Sequence, residues 1–78
     1  MNIEKYNKCF VDTFDVGVDV LNNEFKFGVT DGWDSLAHMT LIAALEDAFD
    51  IMFETEDIIH FGSYENGKKL LAKYGVFI

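Results

Sequence analysis

Gly32-Trp33-Asp34-Ser35-Leu36-Ala37-His38-Met39-Thr40-Leu41-Ile42-Ala43-Ala44-Leu45-Glu46-Asp47-Ala48-Phe49-Asp50 is the stretch on which the fold turns. Leu36, Met39, Ile42, Leu45 and Phe49 recur at helical spacing, so an amphipathic helix is expected from residue 35 to residue 50. Asp34 or Ser35 supplies the N-cap, since a short oxygen-bearing side chain can accept a first-turn N–H. Glu46, Asp47 and Asp50 fall at the far end of the solvated side. Acids there oppose the helix dipole, so stability alone does not account for them.

Upstream, from Gly17 to Asp34, the periodicity breaks. Asn22-Asn23, Gly28 and Asp31-Gly32 are turn signals, while Val20, Leu21, Phe25 and Phe27 can pin a long loop to a core. Glu24 to Phe27 is at most a brief extended piece. Before the loop, Ile3, Tyr6, Phe10 and Phe14 mark a first helix, with Asn2 as cap and Gly17 as stop. Cys9, beside that stripe, reads as a small core hydrophobe. Downstream, Thr55 caps a short helical turn over Glu56 to Phe61 that brings Ile58 and Phe61 inward. Ser63 caps a last helix carrying Tyr64, Leu70, Leu71 and Tyr74, which ends at Gly75. The expected fold is therefore all-α, in one domain over 1–78: three longer helices and one short one, with a long loop between the first two.

Composition narrows function. The chain has 78 residues, with 6 Lys+Arg against 14 Asp+Glu and a net charge of -8. All six basic residues are lysines, at 5, 8, 26, 68, 69 and 73, so none lies between 27 and 67. That segment holds Asp31, Asp34, Glu46, Asp47, Asp50, Glu54, Glu56, Asp57 and Glu65. Such a surface repels nucleic acid and anionic lipid and steers a basic protein partner toward itself. The longest apolar run is Leu41 to Leu45, against the roughly 20 residues that span a bilayer. A single cysteine excludes an internal disulfide framework, and no apolar leader follows the first methionine. A monomer in a reducing, cytoplasmic setting is the expectation.

Enzyme chemistry finds little support. His38 and His60 are the only histidines, and neither has a second nitrogen or sulfur ligand at close spacing, as zinc would need. No calcium loop and no phosphate loop is present. Asp34, Ser35 and His38 share one helical turn, which leaves no pocket or oxyanion hole for a nucleophilic triad. His38 is expected to be a solvated helix residue. What remains is a serine at a helix N-terminus, where free N–H groups and the dipole suit a phosphate ester.

Asp34-Ser35-Leu36, followed by Met39, Leu41-Ile42 and Leu45-Glu46, with Phe49 beyond, resembles the acyl carrier proteins, whose hallmark is Asp-Ser-Leu at the head of the second helix. The resemblance extends over essentially the whole chain, through Phe27 eight residues before the serine, the Asp57-Ile58 turn and Phe61. It implies an acyl-carrier-protein-like four-helix bundle, with 4'-phosphopantetheine covalently attached at Ser35 by a phosphopantetheinyl transferase. Asp34 then helps position the metal in the transferase complex. Leu36, Met39, Glu46 and Asp47 match the family's partner surface, with Asp50, Glu56 and Asp57 extending its acid toward loading and processing enzymes with basic docking faces.

There are departures. Ala37, His38 and Thr40 stand where fatty-acid carriers often place acids, Trp33 replaces a small residue, and Glu54 stands where proline is common. These favour a stand-alone carrier in a specialised biosynthetic pathway over primary fatty-acid synthesis. Phe53 and Phe61 replace smaller aliphatic residues, and large rings leave less room for a tail, so a short or polar cargo is expected. Two alternatives stay open: an aminoacyl (D-alanyl or peptidyl) carrier, and an acidic helical interaction module that carries no arm.

Overall fold

The structure is a computed structural model describing residues 1–78. Four helices follow one another: α1 Asn2–Phe14, α2 Ser35–Phe49, α3 Thr55–Ile59 and α4 Tyr64–Lys73, with a 3-10 turn at Val18–Val20 in the connection between α1 and α2. This is a small all-helical bundle without strands, three helices being longer than the fourth. None is long and apolar enough to cross a membrane.

The helix ends differ in detail from expectation. α1 stops at Asp15, not Gly17: Asp15 adopts the left-handed conformation (φ 54°) and its N–H closes on the carbonyl of Val11. A short polar side chain tolerates that region, so glycine is not required. Asn2 lies inside α1, and its amide donates to the carbonyl of Phe77 at 3.1 Å. Asp50 ends α2 in the same left-handed way. Thr55 begins α3 with Glu54 at the cap position, and the helix stops at Ile59, short of Phe61. Ser63 caps α4 as expected, accepting the N–H of Asn66 at 3.0 Å.

The rotation of α2 is the main correction. Its buried face is His38, Leu41, Ile42 and Leu45, while Leu36 is 79% and Met39 52% exposed. Positions 38, 41, 42 and 45 follow the i, i+3, i+4, i+7 pattern of a core-facing stripe. Apolar side chains on both sides of this helix leave periodicity unable to select one face. Of the expected stripe, Ile42 and Leu45 face the core and Phe49 is half-buried, while Leu36 and Met39 turn to solvent.

The core is aromatic. Phe10 lies at its centre, with Tyr6, Tyr64, Trp33, Phe25, Phe14 and Phe61 at centroid distances of 5.0 to 6.3 Å, mostly tilted or edge-on. Such geometries add to the area that each ring buries. Tyr6, fully buried, donates its hydroxyl to the carbonyl of Tyr64 at 2.6 Å. Gly67, inside α4, lets Tyr6 and Phe61 approach the helix backbone closely. Cys9 is buried beside Phe10, and burial raises its thiol above the ordinary value.

Two backbone hydrogen bonds tie the long loop to the α3–α4 connection. Phe27 N–H donates to Gly62 O at 3.0 Å, and Tyr64 N–H donates to Phe25 O at 2.9 Å. The extended piece at Glu24–Phe27 thus amounts to one antiparallel bridge, Lys26 to Ser63.

Candidate functional site

Ser35 is the first residue of α2, and it is exposed. The helix does not depend on its hydroxyl, because the carboxylate of Asp34 accepts the N–H of Ala37 at 2.9 Å and serves as the cap. The N–H groups of Ser35 and Leu36 belong to the first turn and have no acceptor within the helix. A hydroxyl relieved of capping, at the positive end of a 15-residue helix, is well placed for esterification by a phosphate.

Beside Ser35, a groove of about 330 Å³ opens between α2 and α3. Phe27, Met39, Ile58 and Ile59 make it apolar, and Ser35, His38 and Gly62 complete the lining. Ser35 and His38 therefore do share a pocket where none was expected, formed by the loop and α3 closing over the head of α2. Phe27 comes from the loop and stays 43% exposed: the loop is anchored by Phe25 and Trp33, while Phe27 serves the groove.

His38 is the buried member of this lining, 8% exposed, and the expectation of a solvated residue is corrected. Its Nδ1 accepts the indole N–H of Trp33 at 3.0 Å, and its Nε2 donates to the carbonyl of Ile58 at 2.7 Å. The indole can only donate, so Nδ1 must be the acceptor and the proton resides on Nε2. Trp33 itself is 2% exposed. One imidazole therefore joins the loop, α2 and α3 directly behind the groove. The available sequence signal was the register of His38 with Leu41, Ile42 and Leu45.

The acids expected to form one docking surface divide into two sets. Asp47, Asp50 and Glu56 are exposed. Glu46 is half-buried, and its carboxylate accepts the N–H of Phe53 at 2.9 Å, holding the chain as it leaves α2. Asp57 is withdrawn from the surface, at 7% exposure. Lys73 donates to its two oxygens at 2.9 and 3.1 Å, and the hydroxyl of Tyr74 donates to Oδ2 at 2.5 Å. That hydroxyl also accepts the N–H of Glu54 at 2.9 Å. The Tyr74 hydrogen bond, then Lys73, hold the Asp57 carboxyl below its ordinary value; the same carboxylate raises Lys73. Burial, then the hydrogen bond to Asp57, raises Tyr74. Asp57 thus latches α3 onto the end of α4, and Leu36, Met39, Asp47, Asp50 and Glu56 remain as the exposed members of the expected surface.

No group of three or more His, Cys, Asp or Glu side chains is arranged to hold a metal ion. Compared with protein-family models, curated proteins and solved structures, the chain matches none of them.

Proposed function

We propose that this chain is an acyl carrier protein whose 4'-phosphopantetheine arm is attached at Ser35. The observation that carries the reading is the exposed Ser35 hydroxyl at the head of α2, uncommitted to capping and bordering an apolar groove, within the Asp34-Ser35-Leu36 triplet. The local residues fit such an arm. First-turn N–H groups face a phosphate ester, and Phe27, Met39, Ile58 and Ile59 offer apolar cover to a chain leaving it.

In this reading Ser35 Oγ attacks the pyrophosphate of coenzyme A. The Oγ–P bond forms, the bond to the departing adenosine bisphosphate breaks, and the serine proton goes to a base of the transferase. Asp34 helps position the metal in that complex while keeping its cap. The arm supplies a terminal thiol on which cargo rides as a thioester. The protein acts as substrate and tether, not catalyst, and contributes effective concentration at successive partner sites. Leu36 and Met39 present apolar contacts, and Asp47, Asp50 and Glu56 steer basic partners, so encounters are fast, transient and weakened by salt. The pathway is a specialised one, drawing on fatty-acid, polyketide or related chemistry.

Intact mass after incubation with coenzyme A, magnesium and a broad-specificity phosphopantetheinyl transferase tests the reading, with Ser35→Ala as control. One added phosphopantetheine on the wild type and none on the variant is the expected result. No addition with several transferases, together with unchanged partner binding by Ser35→Ala, would instead favour the interaction module.

A further inference from the structure

We propose that Trp33 and His38 set the length of the cargo: they bar the bundle interior to a chain carried at Ser35 and confine it to the outer groove, which selects short acyl groups. The inference rests on the carrier reading and assigns a substrate class to it.

A chain leaving Ser35 and seeking apolar cover has two routes. One runs along Phe27, Met39, Ile58 and Ile59, on the outside of the bundle. The other runs inward between α2 and α3, and there His38 stands in the way. Both ring nitrogens are committed, one to the Trp33 indole and one to the carbonyl of Ile58. Passage between the helices separates those groups and leaves two donors and two acceptors unpaired where water is scarce. Behind His38 the interior is already filled. Phe61 lies 6.0 Å from the imidazole and 6.3 Å from Trp33, and Trp33 packs on Phe10, Phe14 and Phe25 at 5.8, 5.2 and 5.5 Å. Neighbours in such a core have no free volume into which to retreat.

The barrier joins three segments, so it is also a positioning device. The indole fixes the imidazole tautomer, and the imidazole fixes the spacing of α3 from α2. Trp33 and His38 therefore act on cargo through the shape of the groove, without touching the reacting thioester.

The test loads the wild type with butyryl-, hexanoyl- or dodecanoyl-phosphopantetheine from the corresponding acyl-coenzyme A, with loading read by intact mass. Cleavage of each thioester by hydroxylamine is then compared with that of the same acyl-pantetheine free in solution. Emission from Trp33, the only tryptophan, reports the barrier directly. Protection is expected to level off at hexanoyl, with Trp33 emission unchanged through dodecanoyl. His38→Ala should open the interior and slow cleavage of the dodecanoyl thioester roughly fivefold relative to wild type, the factor that about one net hydrogen bond represents. His38→Gln, whose amide can accept from the indole and donate to Ile58, should restore the wild-type limit. Should His38→Ala fail to fold, Trp33→Phe keeps an aromatic ring while removing the indole donor and some of the bulk behind His38, and should move the limit in the same direction. Wild-type protection that keeps rising through dodecanoyl, or a Trp33→Phe profile identical to wild type, would overturn the proposal alone. Absence of any mass gain on loading would overturn the carrier reading, and this proposal with it.

Discussion

Replacing Gly67 with alanine should destabilise the protein, although helix propensity alone says the opposite. Inside an exposed helix, Gly→Ala stabilises by about 1 kcal/mol. Here a Cβ on Gly67 would lie 2.2 Å from the Tyr6 oxygen and 2.3 Å from Phe61 Cζ, where ordinary contact begins at 3.4 Å. Each ring would have to withdraw by roughly 1 Å, and neither is free to do so. Tyr6 is held by its hydrogen bond to Tyr64 O and by rings at 5.0 and 5.2 Å. Phe61 is wedged between Phe10 and Phe53 at 6.3 and 6.2 Å. Overpacking of this kind costs about 1–3 kcal/mol. Pulling the buried Tyr6 hydroxyl off its acceptor adds about 1 kcal/mol or more. Net of the helix gain, Gly67→Ala should lose about 2 kcal/mol. For a domain of this size that lowers the thermal midpoint by roughly 8–16 °C. Thermal and urea unfolding followed by circular dichroism would measure the loss. In a Tyr6→Phe background the oxygen is gone, so the double variant should lose less than the two single losses added together. A midpoint that rises or stays level in Gly67→Ala would refute the reasoning, because it would mean that the two rings yield without cost.

Other expectations follow from the caps, the latch and the thiol. Asp34→Ala should lower stability by about 1 kcal/mol, whereas Ser35→Ala should stay within about 0.5 kcal/mol of wild type; thermal midpoints compare them. The Asp57 carboxyl is depressed in the folded state, so its contribution is complete above the ordinary value of 3.8 and is lost as pH falls through the lower, folded value. Lys73 and Tyr74 are raised, so their contributions are complete below about 10 and fade as pH rises through their folded values. Urea midpoints across pH should therefore fall at both extremes, and Asp57→Asn should flatten the acid limb. Cys9 should react with a disulfide reagent far more slowly in the native apo protein than in urea, because its thiol is buried and its ionisation suppressed. Equal rates would place it at the surface.

Some parts of the fold were legible in the residues themselves. Tyr6, Phe10 and Phe14 in α1, and Tyr64 and Leu71 in α4, each mark one apolar face whose direction could be read. Of the helix boundaries only the Ser63 cap of α4 fell where expected, α1 running from Asn2 to an Asp15 stop. α2 could not be oriented that way. Leu36, Met39, Leu41, Ile42 and Leu45 surround much of the helix, and the stripe that looked natural ran through two residues that face solvent. The surplus apolar side chains belong to the groove and the exposed surface around Ser35. Sequence likewise gives the sign of an acid and not its direction. Asp57 lies among exposed acids in the chain, yet turns toward Lys73 and Tyr74, partners 16 and 17 residues away. The Asp34-Ser35 head of the helix was legible, but the division of labour between a capping Asp34 and an uncommitted Ser35 required the hydrogen bond to be seen. His38 was misplaced for a related reason. A polar residue enters a core only when both ring nitrogens find partners, and those partners, Trp33 and Ile58, lie 5 and 20 residues away.

The single bridge between Lys26 and Ser63 bears on cooperativity. The loop meets the α3–α4 connection through the Phe27–Gly62 and Phe25–Tyr64 backbone pairs, and both Phe27 and Gly62 line the groove. Rupture of these two bonds loosens one side of the groove while the α2 hydrogen-bond ladder stays closed. The groove can therefore breathe as a subglobal unit, at a free energy below that of global unfolding. Amide exchange at Phe27 and Tyr64 would run ahead of exchange at Leu41 and Leu45, and any ligand bridging Phe27 to Ile59 would slow the first pair selectively. Such a pattern of exchange would separate a quiet core from a yielding edge, with the yielding edge beside Ser35.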